Sequence, residues 1–130
     1  MVRVIPVAPE WLEDGLSIAM PNLIKAASRS RHLTPMVLAE GIRDGLLHLW
    51  LIDGMKAACV TQVVEYPDER VLFVSALGGE EMSDWLDDLL DTLDAYAKRI
   101  GAGAIEMHGR KGWQKVLNWE TDKIIMRREI

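Results

Sequence analysis

A chain of 130 residues with 49% hydrophobic and 27% charged residues can bury one core without staples, and that balance excludes a disordered or low-complexity chain. Its single cysteine, Cys59, excludes an internal disulfide, and no apolar run reaches the roughly 18 residues that a membrane helix needs. The formal charge of −5 argues against nucleic acid as a partner, and Met1-Val2-Arg3 leads into Pro6 and Pro9 rather than an apolar leader, so the expected location is the cytoplasm.

Residues 2–7 form a short β-branched run stopped by proline, the pattern of a first strand. Pro9 suits the first turn of a helix carrying Trp11, Leu12, Leu16 and Ala19, which Met20-Pro21 should end. Asn22 is placed to cap a second helix, with Leu23, Ile24, Ala26 and Ala27 inward and Lys25, Arg29 and Arg31 outward. Thr34-Pro35 opens a third short helix that Gly45 closes. A sheet meander follows: residues 46–52, an Asp53-Gly54 two-residue turn, residues 55–65, a turn at Tyr66-Pro67-Asp68-Glu69, and residues 70–77, broken by Gly78-Gly79.

The strongest periodicity comes next. Met82, Trp85, Leu86, Leu89, Leu90, Leu93, Ala97 and Ile100 recur at three- and four-residue spacing, and Asp84, Asp87, Asp88, Asp91 and Asp94 fill the other face. Ser83 is the expected cap, with first-turn acids complementing the helix dipole. After Gly101 to Gly103, residues 104–108 read as a buried strand, 111–118 as a short helix and 123–129 as a final strand. Charge is unevenly spread: residues 80–94 hold seven acids and no base, and from Lys98 onward eight bases face four acids.

The order strand, helices, three-strand meander, long helix, strand, short helix, strand resembles the GNAT acetyltransferase fold over nearly the whole chain. The expected architecture is therefore α/β, one domain over 1–130 with a mixed central sheet (β-α-α-β-β-β-α-β-α-β) flanked by helices. The resemblance implies that the strands near 70–77 and 104–108 run parallel and splay into a cleft that normally admits acetyl-coenzyme A. It also implies that the loop between the third meander strand and the long helix cradles a pyrophosphate through backbone amides, an anion site at a helix start.

In this chain that loop is Gly78-Gly79-Glu80-Glu81-Met82-Ser83, whose carboxylates stand where phosphates would lie. A carboxylate on the third meander strand would suit a general base, yet Ser75 is its one internal polar residue, and Glu65 and Glu69 belong to the turn around Pro67. Trp113 falls where the resemblance expects a tyrosine acid, and Tyr96 lies in the long helix with its ring buried. Glu106 and His108 alternate on one strand and share a face, which makes them the remaining catalytic candidates. His32 and His48 are isolated, so no metal site is expected. Gly101-Ala102-Gly103 follows a helix and precedes a strand, the reverse of a dinucleotide fingerprint, and Gly109-Arg110-Lys111-Gly112-Trp113 reads as a helix entry with exposed bases.

Two functions follow as expectations. One is a GNAT-like binding or structural component without acetyl transfer and with no cofactor, whose acidic residues Asp84, Asp87, Asp88 and Asp91 meet a protein partner or a second copy. By resemblance to small phage and prophage proteins it would serve virion morphogenesis and be virion-associated. The other is an acetyl-coenzyme A-dependent N-acyltransferase with an atypical loop, holding its donor at Val74, Leu77, Gly78 and Gly79 and using Glu106 and His108 for proton transfer.

Overall fold

The computed structural model describes residues 2–28, 30, 32–108 and 111–130. Five strands form one sheet in chain order: β1 (Val4–Pro6), β2 (His48–Ile52), β3 (Ala57–Glu65), β4 (Arg70–Gly79) and β5 (Ala104–Met107). The first four pair antiparallel, and β4 pairs with β5 in parallel. Helices α1 (Leu12–Ala27) and α2 (Pro35–Arg43) precede β2, α3 (Leu86–Arg99) crosses over between β4 and β5, and α4 (Lys111–Leu117) follows. This is the mixed α/β architecture read from the sequence.

The sheet carries an apolar cluster on each face. Trp50, Ile52, Cys59, Leu72 and Val74 pack against Trp85, Leu86, Leu89, Leu93 and Ala97 of the long-helix region. On the other face Leu49, Ala58 and Val60 meet Leu16, Ala19, Leu23, Leu38 and Ile42 of α1 and α2. Fully burying one such side chain is worth about 1.5–3 kcal/mol, so these clusters dominate the stability.

Two helices expected in the first third are one. Pro21 lies inside α1, where it removes a backbone N–H and costs about 3 kcal/mol in an isolated helix. The helix continues because Leu16, Ala19, Leu23 and Ala27 form a single buried face across the proline. Asn22, expected as a cap, is instead 6% exposed, and its Nδ2 donates to the Met55 carbonyl at 2.8 Å, tying α1 to the β2–β3 loop. Arg29 and Arg31 lie outside the described residues. Thr34 does cap α2, its Oγ1 accepting from the Val37 N–H at 3.1 Å.

The β2–β3 turn holds four residues rather than two, since Ile52 pairs with Ala57. Asp53 and Gly54 take the left-handed region at φ 47° and 68°, as their turn chemistry suggests. The Arg3 N–H donates to Asp53 Oδ1 and the Asp53 N–H donates to the Arg3 carbonyl, both at 2.8 Å, which fastens the chain start to this turn.

Gly78 and Gly79 do not break β4; they are its last two residues. Ser83 is not the cap of the long helix either. A short 3-10 turn spans Met82–Asp84, Glu81 sits at φ 53°, and Trp85 holds the cap position of α3 without a side-chain bond to it. The final strand expected over 123–129 is not formed: residues 118–130 have no regular secondary structure, and Ile124, Ile125 and Met126 are exposed. Of the 109–113 patch, residues 109 and 110 lie outside the described residues.

Candidate active site

The sheet opens where β4 and β5 part. Their parallel register runs from Val71 opposite Ala104 to Val74 opposite Met107 and stops there. β4 continues for five more residues, paired only with β3. Its free edge from 75 to 79 therefore presents backbone polar groups to the gap. At the same place the β3–β4 register slips: Val60 faces Ala76 and Thr61 faces Val74, so Ser75 is an extra residue bulged out of the ladder. Beyond the last β4–β5 pair lies a cleft of about 740 Å³.

One wall of the cleft is β4 from Phe73 to Gly79, and the other is Met107, His108 and Trp113. The end of α1, with Lys25 and Ala26, and the following segment with His32 and Leu33 close it from the helix side. Trp85 completes the lining. Val74, Leu77, Gly78 and Gly79, expected as donor-binding residues, all lie here. The glycines answer first to packing. A Cβ on Gly78 would stand 2.4 Å from the Asn22 carbonyl oxygen, and one on Gly79 would stand 2.5 Å from the Ala57 Cβ. Neither φ is positive, so close approach rather than turn geometry requires glycine.

Glu106 and His108 share one sheet face, as their alternation implies. Phe73 pairs in register with Glu106 and packs edge-on against the His108 ring, with centroids 4.7 Å apart. Both candidates border a second depression, but only His108 also borders the cleft. His108, Met107 and Trp113 border the cleft and also this second depression of about 600 Å³, whereas Glu106 borders the second depression alone, together with Leu117, Trp119 and Ile124. His108 thus stands on the lip between two concavities.

At the opposite end the acidic loop is ion-paired. Lys25 Nζ lies 2.9 Å from Glu80 Oε1, and Lys56 Nζ lies 3.1 Å from Asp84 Oδ2 and 3.4 Å from Glu81 Oε2. Hydrogen bonding to Lys25 lowers the Glu80 pKa, and hydrogen bonding to Lys56 lowers that of Asp84. These ion pairs set two cations against three carboxylates in the loop that follows β4. The Glu80 carbonyl accepts from Trp85 Nε1 at 2.7 Å.

Asp87, Asp88 and Asp91 are exposed on the outer face of α3, while Asp84 belongs to the ion-paired loop. Among the described residues no group of three metal-ligating side chains exists, and no helix is long and apolar enough to cross a membrane. Cys59 is fully buried in the sheet, as its apolar neighbours imply. Sequence reading missed Lys25, Leu33 and Trp85 as cleft residues and the bulge at Ser75. Trp85 alone carried a signal, as a large aromatic at the start of an amphipathic helix.

No protein-family model matches the sequence, and no match is found among curated proteins. Solved structures do match along the full chain. A predicted acetyltransferase of Clostridium acetobutylicum, solved with acetyl-CoA, shares 15% identity at a TM-score of 0.66, over 98% of this chain and 96% of that one. An aminoglycoside acetyltransferase from an uncultured soil metagenomic sample, in complex with sisomicin, shares 7% at 0.70, over 99% and 96%. A Trypanosoma brucei acetyltransferase shares 10% at 0.63, over all of both chains. None of these three bears on the expected association with phage morphogenesis. A cleft beyond the last pair of two parallel strands, with a bulge beside it, and whole-chain similarity to these enzymes give this chain the GNAT acetyltransferase fold.

Proposed function

We propose that the protein is an N-acyltransferase that takes an acyl thioester in the β4–β5 cleft and passes the acyl group to an amine arriving from the second depression. The observation that carries this reading is the free, bulged edge of β4 at Ser75 facing an open cleft, with His108 on the lip shared with the neighbouring depression. An unpaired strand edge offers alternating donors and acceptors to the amides of an extended ligand, whatever side chains flank it. The half-buried side chains of Phe73, Leu77 and Met107 in the lining suit its methylene stretches.

In the reaction the amine nitrogen attacks the thioester carbonyl, the C–N bond forms and the C–S bond breaks. The proton leaves the nitrogen for His108, directly or through water, and the thiolate takes a proton from solvent. Holding the two reactants in adjoining concavities supplies much of the rate. Glu106, which borders the acceptor side, is placed to attract a cationic amine, which gives one proton to solvent before its nitrogen attacks.

A binding or structural role without acyl transfer is favoured by one observation, the carboxylates Glu80, Glu81 and Asp84 in the loop where the resemblance expects phosphate binding. Ligand-dependent thermal stability and thiol release separate the two. A thioester donor that binds the native state raises the unfolding temperature, about 2.7 kcal/mol of stabilisation at a hundredfold excess over Kd. Adding a primary amine should then release free thiol. Stabilisation without thiol release across a panel of amines would leave a donor-binding role, and no stabilisation by millimolar acetyl-CoA or acetyl-pantetheine would remove the acyltransferase reading and leave the role without a cofactor.

A further inference from the structure

We infer that the donor is held through its pantetheine arm alone, without a clamp on the nucleotide diphosphate, so that an acyl-pantetheine serves as well as an acyl-coenzyme A. This rests on the acyl-transfer reading and narrows its donor class. The arm and the diphosphate of such a donor meet opposite ends of one cleft. The arm meets the free edge of β4 from 75 to 79, with the half-buried Leu77 beside it.

The diphosphate would meet the loop after Gly79, where three backbone donors are already engaged. The Glu80, Asp84 and Trp85 N–H groups donate to the carbonyls of Lys56, Glu81 and Met82 respectively. The glycines that could let a phosphate approach are filled against Asn22 and Ala57. Among the described residues, Lys25 is engaged by Glu80, and Lys56 by Asp84 and Glu81. A phosphate that recruited either lysine would free a carboxylate next to itself, so the exchange gains no net charge attraction.

Calorimetric titration of the full chain with acetyl-CoA, acetyl-pantetheine and ADP tests this. The two thioesters should bind with Kd values within about tenfold of each other, and millimolar ADP should give no heat. The double substitution Glu80→Gln/Glu81→Gln, at exposed positions, should tighten acetyl-CoA several-fold and leave acetyl-pantetheine unchanged. Acetyl-CoA binding more than about tenfold tighter than acetyl-pantetheine, or a double variant that leaves their ratio unaltered, would overturn the inference while the acyl-transfer reading stands. Failure of both thioesters to bind would overturn that reading and the inference together.

Discussion

The carbonyl oxygen of Asn22 occupies the space where a side chain at Gly78 would begin, with an added Cβ only 2.4 Å away. Because the obstacle is the backbone of α1 and not the end of a flexible side chain, the helix would have to lift off β4. Gly78→Ala should therefore destabilise the fold by about 1–3 kcal/mol, the usual cost of overpacking. Gly112 in α4 has nothing within 4 Å of its Cβ position, and Gly112→Ala should stabilise by about 0.5 kcal/mol through helix propensity. Denaturant midpoints moving in opposite directions would bear this out; equal shifts would sink it.

Trp50 Nε1 donates to Thr61 Oγ1 at 3.0 Å in a pair that is almost wholly buried. Thr61→Val keeps the shape and leaves the indole N–H without its acceptor, which should cost about 1–3 kcal/mol. Thr61→Ser retains the hydroxyl and should cost less than Thr61→Val. If the valine variant were as stable as the parent in chemical denaturation, the bond would carry no weight in the core.

How far such relationships could be read in advance depends on their range. The long amphipathic helix and the meander followed from local spacing, because apolar residues at periods of 3.6 and 2 report directly on burial. Pro21 misled for the opposite reason: a local rule ended the helix, but the buried row from Leu16 to Ala27 outweighs it. The bulge at Ser75 is a property of how β3 and β4 pair, so no reading of β4 alone could find it. The partners of Glu80 and Asp84 lie 55 and 28 residues away, and only the fold shows that the acidic loop is ion-paired. Glu106 and His108 were legible as a pair, and both do line the second depression, but that His108 also borders the cleft was not legible.

Burial pushes the Cys59 thiol up to about 12 from 9.0. The native state thus resists ionisation more than the unfolded chain does. The contribution is complete below pH 9.0 and is lost as pH rises from there toward about 12. Cys59 should accordingly react with a thiol reagent only as fast as the protein opens, and low denaturant should accelerate the reaction. Rapid modification of the native protein at neutral pH would contradict the buried placement.

Lys25 holds the Glu80 carboxyl below its ordinary value of 4.5, chiefly through their hydrogen bond. A depressed carboxyl stabilises the fold above its unfolded value and loses that contribution as pH falls through the folded one. Because both groups are largely exposed, the gain is small and screened by salt. The sharper measurement is the titration of the Glu80 side-chain carboxyl by NMR. Lys25→Met should move it upward toward 4.5, and no movement would show that the pair is not formed in solution.

His108 supplies the most direct test of the chemistry. Its ring packs edge-on against Phe73 and stands between the two depressions, so His108→Phe can keep the aromatic contact while removing both ring nitrogens. If the imidazole takes the amine proton, this substitution should lower kcat by about 100-fold and leave the calorimetric Kd of the thioester donor unchanged. Glu106→Gln acts on the other side of the lip. It should raise KM for cationic amines, because Glu106 borders the second depression and not the donor cleft. A His108→Phe variant with full turnover would assign the proton to ordered water, and a Glu106→Gln variant that lost donor affinity would contradict the division of the site into two concavities.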